Sequence, residues 1–534
     1  MTCTSLKRMF QGTILGHIIY TLSKGRVLKY KEDYSDFVPP EKFLLDSNDI
    51  EKAGSSFEST QSDPILLTFE GPDDPYHPHS WPWWVKLIVG LGTSANSSLV
   101  YIAAVAFMPA KSYLMEEFNI GETAAVLPLS LFVYGYAIGP MVFSPLSEHP
   151  VIGRNFFYAS TLFACCLVQI GSALVHNFAG LCILRFISGF LISPVLATGG
   201  ASYADMFSTP YVPHAMVLWG FGSYSGNSLG PLFGACFSVA THDWRWSFWF
   251  LAICCGVLGL FFLCVVPETY NDTILYRRAE RLKRVTGNKN ITIYPSNQIL
   301  RANHSIKEIL WRPVVIGFTE PVVMMINVYI ALVYGIMYLW LEGFPILFED
   351  VKGFAPVPLG AAYIVIFIGV IFGGALYSAL LWKPFTQKVI AGEKVYPEVF
   401  TPVAIVGSLF MPTGIFIFGW TGARDIHWSA PLIGAALYGV SGIILFQSLL
   451  SYIGASFPRY IASAFAGNNL VRSLGAGSFP LFGRALFMNL HNNRFPVAWG
   501  STIVGVIAVL MVSIPVLFYL NGPKLRAKSP YSSL

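Results

Sequence analysis

The segment PETYNDTILYRRAERLKRVTGNKN, Pro267 to Asn290, is a polar interruption in an otherwise apolar chain. Carried on to residue 312, the interruption holds Arg277, Arg278, Arg281, Lys283, Arg284, Lys289, Arg301, Lys307 and Arg312. Before it lie six apolar runs separated by short polar turns: 86–108, 124–144, 155–175, 179–202, 212–238 and 246–266. After it come six more: 313–341, 358–382, 401–420, 430–453, 461–487 and 498–520. Each run is long enough to cross ~30 Å of hydrocarbon as a helix. The linker therefore divides the chain into two equal sets, and the expected fold class is an all-α membrane protein of twelve transmembrane helices.

Composition points the same way. Of 534 residues, 54% are apolar and only 12% charged, about half the ~25% charge of soluble domains. A soluble protein of this length would form several domains, each with its own charged shell, and the charge for that is missing. Disorder and a disulfide-rich secreted chain are excluded by the same counts. The net charge of +5 includes no basic block interleaved with aromatics, so no nucleic-acid partner is expected. All cysteines except Cys3 fall in apolar runs and none forms a C-x-x-C pair, which suits packing and leaves neither a disulfide frame nor a metal site.

Lysine and arginine positions set the orientation. Besides the linker, Lys383, Lys388, Lys394, Lys524, Arg526 and Lys528 mark one side, whereas Lys111, Arg245, Lys352, Arg424 and Arg494 are scattered on the other. The expected organisation is a cytosolic N-terminal tail (1–85), a six-helix half (86–266), a cytosolic linker (267–312), a second six-helix half (313–520) and a cytosolic C-terminal tail (521–534). The N-terminal tail holds twelve acidic and eight basic residues and reads as largely flexible. Its stretch Lys7 to Tyr20 fits two readings, an amphipathic segment on the inner leaflet or plain disorder. Trp81, Trp83 and Trp84 sit where the first run meets water, as interfacial anchors do.

Several motifs lie on these runs. The turn after the second reads Gly139-Pro140…Ser144-Pro145-Leu146-Ser147-Glu148…Gly153-Arg154; Glu148 and Arg154, at adjacent inner helix ends, can act as a gate latch. An ordinary positive-inside turn is the alternative. The fourth run carries Leu184-Arg185-Phe186…Gly189 and ends at Asp205. An arginine in a span costs at least ~2.5 kcal/mol at the centre and normally faces a cavity or a partner; proton coupling and holding the fold around the cavity both fit Arg185. Asp205 is open between gating and structure. The fifth run contains Gly226, Gly230, Pro231 and Gly234, small residues one turn apart that permit close helix approach, with a proline that frees a backbone acceptor.

Six plus six spans with these motifs resemble the major facilitator superfamily, whose halves are pseudo-symmetric repeats around a midplane site. The resemblance narrows to the fungal twelve-span drug:proton antiporters of the yeast benomyl, azole and multidrug-resistance type. It rests on Pro267-Glu268-Thr269-Tyr270, Thr319-Glu320-Pro321-Val322, Tyr329-Ile330-Ala331-Leu332, Pro458-Arg459-Tyr460-Ile461, Phe479-Pro480-Leu481-Phe482-Gly483-Arg484 and Tyr519-Leu520-Asn521-Gly522. Gly226 to Ala235 looks like the antiporter signature, with Ala235 replacing its last glycine. Asn155 replaces a usual basic residue after Gly153-Arg154, which weakens the expected charge network.

The resemblance implies export of hydrophobic drugs in exchange for protons at the plasma membrane, without a cofactor and as a monomer. It implies a large apolar cavity, for which Tyr329, Tyr334, Tyr338 and Phe344 of the seventh run are candidate lining. Glu320, a carboxylate in that run, is a candidate proton site; Arg472 and Arg484 are its possible partners or packing locks. Walker, H-E-x-x-H and G-x-S-x-G motifs are absent, so neither ATP use nor an enzyme is expected. Export of one endogenous metabolite (a polyamine, organic acid or fungal toxin) and a non-transporting membrane sensor stand as alternatives.

Overall fold

A computed structural model describes residues 3–40, 43, 65–71, 74–293, 306–457, 461–490, 493–527 and 529. Arg301, Lys528 and the Pro458-Arg459-Tyr460 motif noted above lie outside them. Every apolar run is helical, because a backbone in hydrocarbon must satisfy its own hydrogen bonds. Spans 1–3 are Trp83–Val105, Glu122–Ser147 and Arg154–Leu174. Span 4 is Phe178–Ile192 continued by Pro194–Met206; spans 5 and 6 are Val212–Thr241 and Arg245–Cys264. Span 7 is Ile306–Thr319 continued by Pro321–Phe344, and span 8 is Pro356–Ala362 continued by Ile364–Leu381. Spans 9–11 are Thr401–Trp420, Ser429–Ser456 and Ile461–Asn489, and span 12 is Ala498–Met511 with Ser513–Ala527.

Among the described residues, ten helices are long and apolar enough to cross a membrane by length and composition. Spans 5 and 11 are not among them. They are helices of 30 and 29 residues, rich in glycine, serine and asparagine, and each packs against the opposite half. In the first half, span 1 packs on 5, 2 on 4 and 3 on 6; in the second, 7 packs on 11, 8 on 10 and 9 on 12. Adding six to each number converts one set into the other. Across the halves, span 2 meets 11 and span 5 meets 8, again an exchange-related pair. The two halves are thus structural repeats related by a pseudo-two-fold axis.

The N-terminal segment departs from the expected loose tail. Helices Cys3–Gly12 and Ile14–Leu22 fold back on the protein, the second against span 6. Ile65–Leu67 pairs in parallel with Ile291–Ile293 of the linker, and Leu67, Leu282 and Ile291 share a small apolar core. The decisive contact is ionic. Arg278, on the linker helix Asn271–Thr286, bonds Glu32 at 3.1 Å, Glu70 at 2.5 Å and Asp74 at 3.2 Å, while Arg281 reaches the other oxygen of Glu32 at 3.3 Å. Composition alone hid this, because acids of the tail and arginines of the linker look like two solvated charge runs until they meet.

Glu32 is only 2% exposed, and removing one partner of a buried ion pair costs roughly 3–5 kcal/mol. We predict that Glu32→Ala undocks the tail while the bundle persists. Limited proteolysis should cleave before residue 80 much faster than in the parent; unchanged cleavage would refute the clamp.

Candidate functional site at the interface between the halves

The first half is tuned for close packing around spans 1 and 5. Gly222, Gly226, Gly230 and Gly234 recur every four residues and form one stripe along span 5. A Cβ at Gly226 would lie 2.2 Å from the Ser98 carbonyl oxygen, and one at Gly230 2.4 Å from Val105. Nothing larger than hydrogen fits. Span 5 therefore lies flush on span 1, and Pro231 and Leu232 back onto Gly360 of span 8 in the other half, where a Cβ would come 2.9 Å from the Pro231 carbonyl oxygen. The motif thus packs between one half's interior and the other half's edge.

Arg185 is fully buried within the first half. Its guanidinium donates to the carbonyls of Ala103 at 2.8 Å, Ala104 at 3.0 Å and Pro128 at 3.3 Å. Ala103 and Ala104 belong to the last turn of span 1, whose carbonyls have no intrahelical donor and carry the negative end of the helix dipole. Phe107, Phe132 and Phe248 rings flank the cation at 5.0, 4.3 and 5.5 Å. Arg185 thus ties spans 1, 2, 4 and 6 together as a strut.

At the linker end, Arg154 forms an ion pair with Asp205 of span 4 and stacks on Tyr270 at 4.9 Å. The acid bonded to Arg154 is therefore Asp205; Glu148 is near enough to act on it through its field. Glu268 supplies a second device. Its carboxylate accepts backbone N–H groups of Arg154, Asn155, Thr269 and Tyr270 at 3.0–3.2 Å, which caps the N-terminus of span 3. Gly153 has φ +80°, and a Cβ there would strike Glu268 at 2.3 Å. Asn155 donates to Val266 at 2.6 Å, at the end of span 6. The residue read as a weakened charge is a helix cap.

Between the halves, at mid-depth, stands a cluster of aromatic rings around a second buried guanidinium. Arg472 of span 11 bonds Asn469 at 2.8 Å and lies 4.8 Å over Tyr334 and 5.0 Å over Phe446. Tyr136 of span 2 and Tyr338 of span 7 share a hydrogen bond of 2.9 Å across the interface. Tyr101 packs on Tyr136 and Tyr334, and Tyr224 on Tyr334. The Trp219 indole N–H and the Tyr224 hydroxyl are buried without a partner. Beside them a void of ≈ 20 Å³, lined by Met216, Trp219, Leu450, Asn469 and Arg472 among others, is little larger than one water. The void at this point is far smaller than the large cavity expected from the sequence.

Of the predicted cavity residues, Tyr334 and Tyr338 face this interface. Tyr329 and Phe344 do not. Phe344 stacks on Tyr363 at 4.3 Å and Phe418 at 5.2 Å inside the second half, and Tyr329 is fully buried with its hydroxyl beside Ser408 of span 9. Glu320 stands at the break between the two helices of span 7, 4% exposed, with one carboxylate oxygen unbonded. Neither Arg472 nor Arg484 is its partner, since Arg484 pairs with Glu122 of span 2 at the far end.

A second pair at that end went unread. Lys111 holds both oxygens of buried Glu342 at 3.1 Å, joining the first half to span 7. An apolar run that ends at residue 341 leaves Glu342 in a turn, whereas helical structure continues through Val351. Tyr101, Tyr136 and Tyr224 were also passed over; polar rings spread over spans 1, 2 and 5 make no local pattern, and only the packing assembles them.

Residues 93–480 match the Major Facilitator Superfamily. The chain belongs to that superfamily. It is 45% identical to the cycloheximide resistance protein of Candida maltosa over 97% of this chain and 98% of that one. It is 36% identical to fluconazole resistance protein 1 of Saccharomyces cerevisiae, covering 94% and 91%. Among solved structures, the proton:xylose symporter XylE aligns with a TM-score of 0.57 at 15% identity, over 81% of this chain and 95% of that one, a likeness of fold. These findings place the protein among transporters of the superfamily.

A superfamily bundle packed this closely should not tolerate a side chain in the span 5 stripe, since overpacking costs roughly 1–3 kcal/mol and more against backbone. We predict that Gly226→Val abolishes the monodisperse peak in fluorescence-detected size exclusion. Gly256→Ala, whose Cβ would meet its nearest atom at 3.7 Å, should leave that peak intact. Equal profiles would disprove the stripe's packing role.

Proposed function

We propose that this transporter exports hydrophobic drugs across the plasma membrane in exchange for protons, working as a monomer with its linker and both termini in the cytosol. The observation that carries the reading is the interfacial cluster, in which both halves contribute rings and unpartnered donors to one buried point. Such a surface holds varied flat ligands without demanding one hydrogen-bond pattern. The resistance names of the relatives support the same reading. The basic linker supports the orientation.

Alternating access then follows from where the charges stand. At the far end, Lys111–Glu342 and Glu122–Arg484 hold the halves together; both pairs must part for release on that side. At the linker end the halves meet through neutral bonds, His214 to Thr386 at 2.7 Å and Gln447 to the Met216 carbonyl at 2.8 Å. Glu320 is the acid suited to take up a proton, being buried with a free oxygen, while Arg185 and the Arg154–Asp205 pair keep the first half rigid during the movement.

No carboxylate lines the central void among the described residues. Arg472, the indole of Trp219 and the Tyr224 hydroxyl offer donors. Neutral compounds carrying acceptors are therefore the favoured cargo, and permanent cations are disfavoured because their desolvation goes uncompensated.

In sealed proteoliposomes with an imposed pH gradient, a labelled neutral azole should be pumped and a quaternary ammonium dye should not. Arg472→Gln should slow azole flux about tenfold, in line with the roughly 1.5–3 kcal/mol of a hydrogen bond to a charged group. Absence of flux in the parent would favour the sensor alternative. Flux indifferent to the gradient would remove proton coupling.

Glu320→Gln separates the two halves of the proposal. We expect this variant to retain drug binding by tryptophan quenching yet lose gradient-driven accumulation. If accumulation persists, the proton is carried elsewhere.

A further inference from the structure

A larger cavity, of ≈ 280 Å³, lies away from the interface between the halves, where the tail and linker meet the start of span 1. Its size is near the lower end of the ~300–1,000 Å³ typical of ligand pockets. Three arginines line it, Arg8 from the first tail helix and Arg277 and Arg281 from the linker helix, with Tyr30, Trp81 and Val85 completing much of the wall. Arg8 and Arg277 enter no ion pair among the described residues. Arg281 is 5% exposed, stacks on Tyr30 at 3.8 Å, and uses only Nε on Glu32. Its terminal nitrogens keep their donors.

The acids nearby do not neutralise this cluster. Glu268 lines the same cavity, but its carboxylate is engaged by the four backbone N–H groups described above. Glu32 is divided between Arg278 and Arg281. His17 gives an independent reading of the local field: burial first, and then Arg277, Arg281 and Arg284, push its pKa down to about 4. Burial thus holds this neighbouring base neutral, and the arginines of the linker helix add to the effect.

Trp81, Pro82 and Val85 fix the depth. They form the first turn of span 1 and the residues just before it, where a chain passes from headgroups into hydrocarbon. The cavity accordingly has a cationic side and an apolar side at the membrane boundary. Guanidinium groups bind phosphate in bidentate fashion, and basic groups at this level attract anionic headgroups.

We infer that this cavity binds a phosphate-bearing anion through Arg8, Arg277 and Arg281, and that the occupant is the phosphorylated headgroup of an anionic lipid. Its wall is shared by the tail, the linker and Val85 of span 1, so occupancy fastens the tail to the first half. Nothing in the transport reading is needed for this site.

The test uses the full chain in three nanodisc samples: phosphatidylcholine alone, phosphatidylcholine doped with phosphatidylinositol monophosphate, and phosphatidylcholine alone with inositol trisphosphate in the buffer. The doped lipid should be retained in native mass spectra and should slow hydrogen exchange over residues 5–30. In the Arg8→Gln/Arg277→Gln double variant, retention should weaken about tenfold or more, as each basic group near a membrane surface contributes on the order of a factor of five. Lys388→Gln/Lys394→Gln, on the turn between spans 8 and 9, should match the parent. Protection by the soluble inositol phosphate, without retention of the lipid, would overturn the lipid source and leave the phosphate chemistry. No protection from either probe, or equal retention by the double variant, would overturn the site itself.

Discussion

A guanidinium that water never reaches is the constraint on which the first half is organised. In hydrocarbon, a polar group without a partner costs several kcal/mol, and Arg185 has no carboxylate beside it. It is satisfied by carbonyls that would themselves be orphaned, those of the last turn of span 1, and by the faces of three phenylalanines. Two deficits cancel at one point. Because that point joins spans 1, 2, 4 and 6, span 1 becomes a fixed rail, and the glycine stripe of span 5 has a rigid backbone to rest on. The other edge of span 5 is then free to meet span 8. The contact between the halves depends in this way on an arginine that does not touch the second half.

Charge is also graded along the transport direction. The far end is closed by opposite charges drawn from different halves, the middle by rings and one cation, and the linker end by neutral hydrogen bonds, its charges pairing within the first half. The two far-end pairs are not equal. Glu122 and Arg484 are substantially exposed, their side chains 44% and 34% accessible, so this pair contributes no more than about 1 kcal/mol. Glu342 is buried and Lys111 nearly so, and separating them leaves a carboxylate stranded in a low dielectric unless water enters with the opening. The Lys111–Glu342 pair therefore dominates the closed far end, and hydration of Glu342 is the natural companion of release.

Most of the fold was legible because its signals are local. Apolar runs of membrane length, a basic linker and the division into six runs and six more are all read along the chain. Site residues were legible where one helix carries the whole motif, as in Gly226 to Gly234, or where a charge interrupts an apolar run, as in Arg185 and Arg472. What could not be read was juxtaposition. Asp205 finding Arg154, Glu342 finding Lys111, and Tyr136 finding Tyr338 each join positions at least fifty residues apart. Tyr329 and Phe344 show the converse. They share a helix with Tyr334 and Tyr338, but a span wedged between two layers turns some aromatic residues toward the interface and others into its own half.

The tail and linker break the symmetry that the spans obey. Twelve helices repeat under a six-place shift, yet the tail is clamped to the linker by Glu32, Glu70 and Asp74, and the pair of them rests on the first half, against spans 3, 4 and 6. The first half therefore carries a polar body attached to it. That attachment is held by ionised carboxylates and tolerates a neutral His17 in its midst. With a folded pKa near 4, below the ordinary value of 6.5, His17 adds no penalty at neutral pH. As the pH falls below 6.5, the undocked form binds the proton more readily, so docking weakens progressively until the folded group also titrates near 4. A proton-rich compartment would loosen the tail, whereas a neutral one keeps it seated.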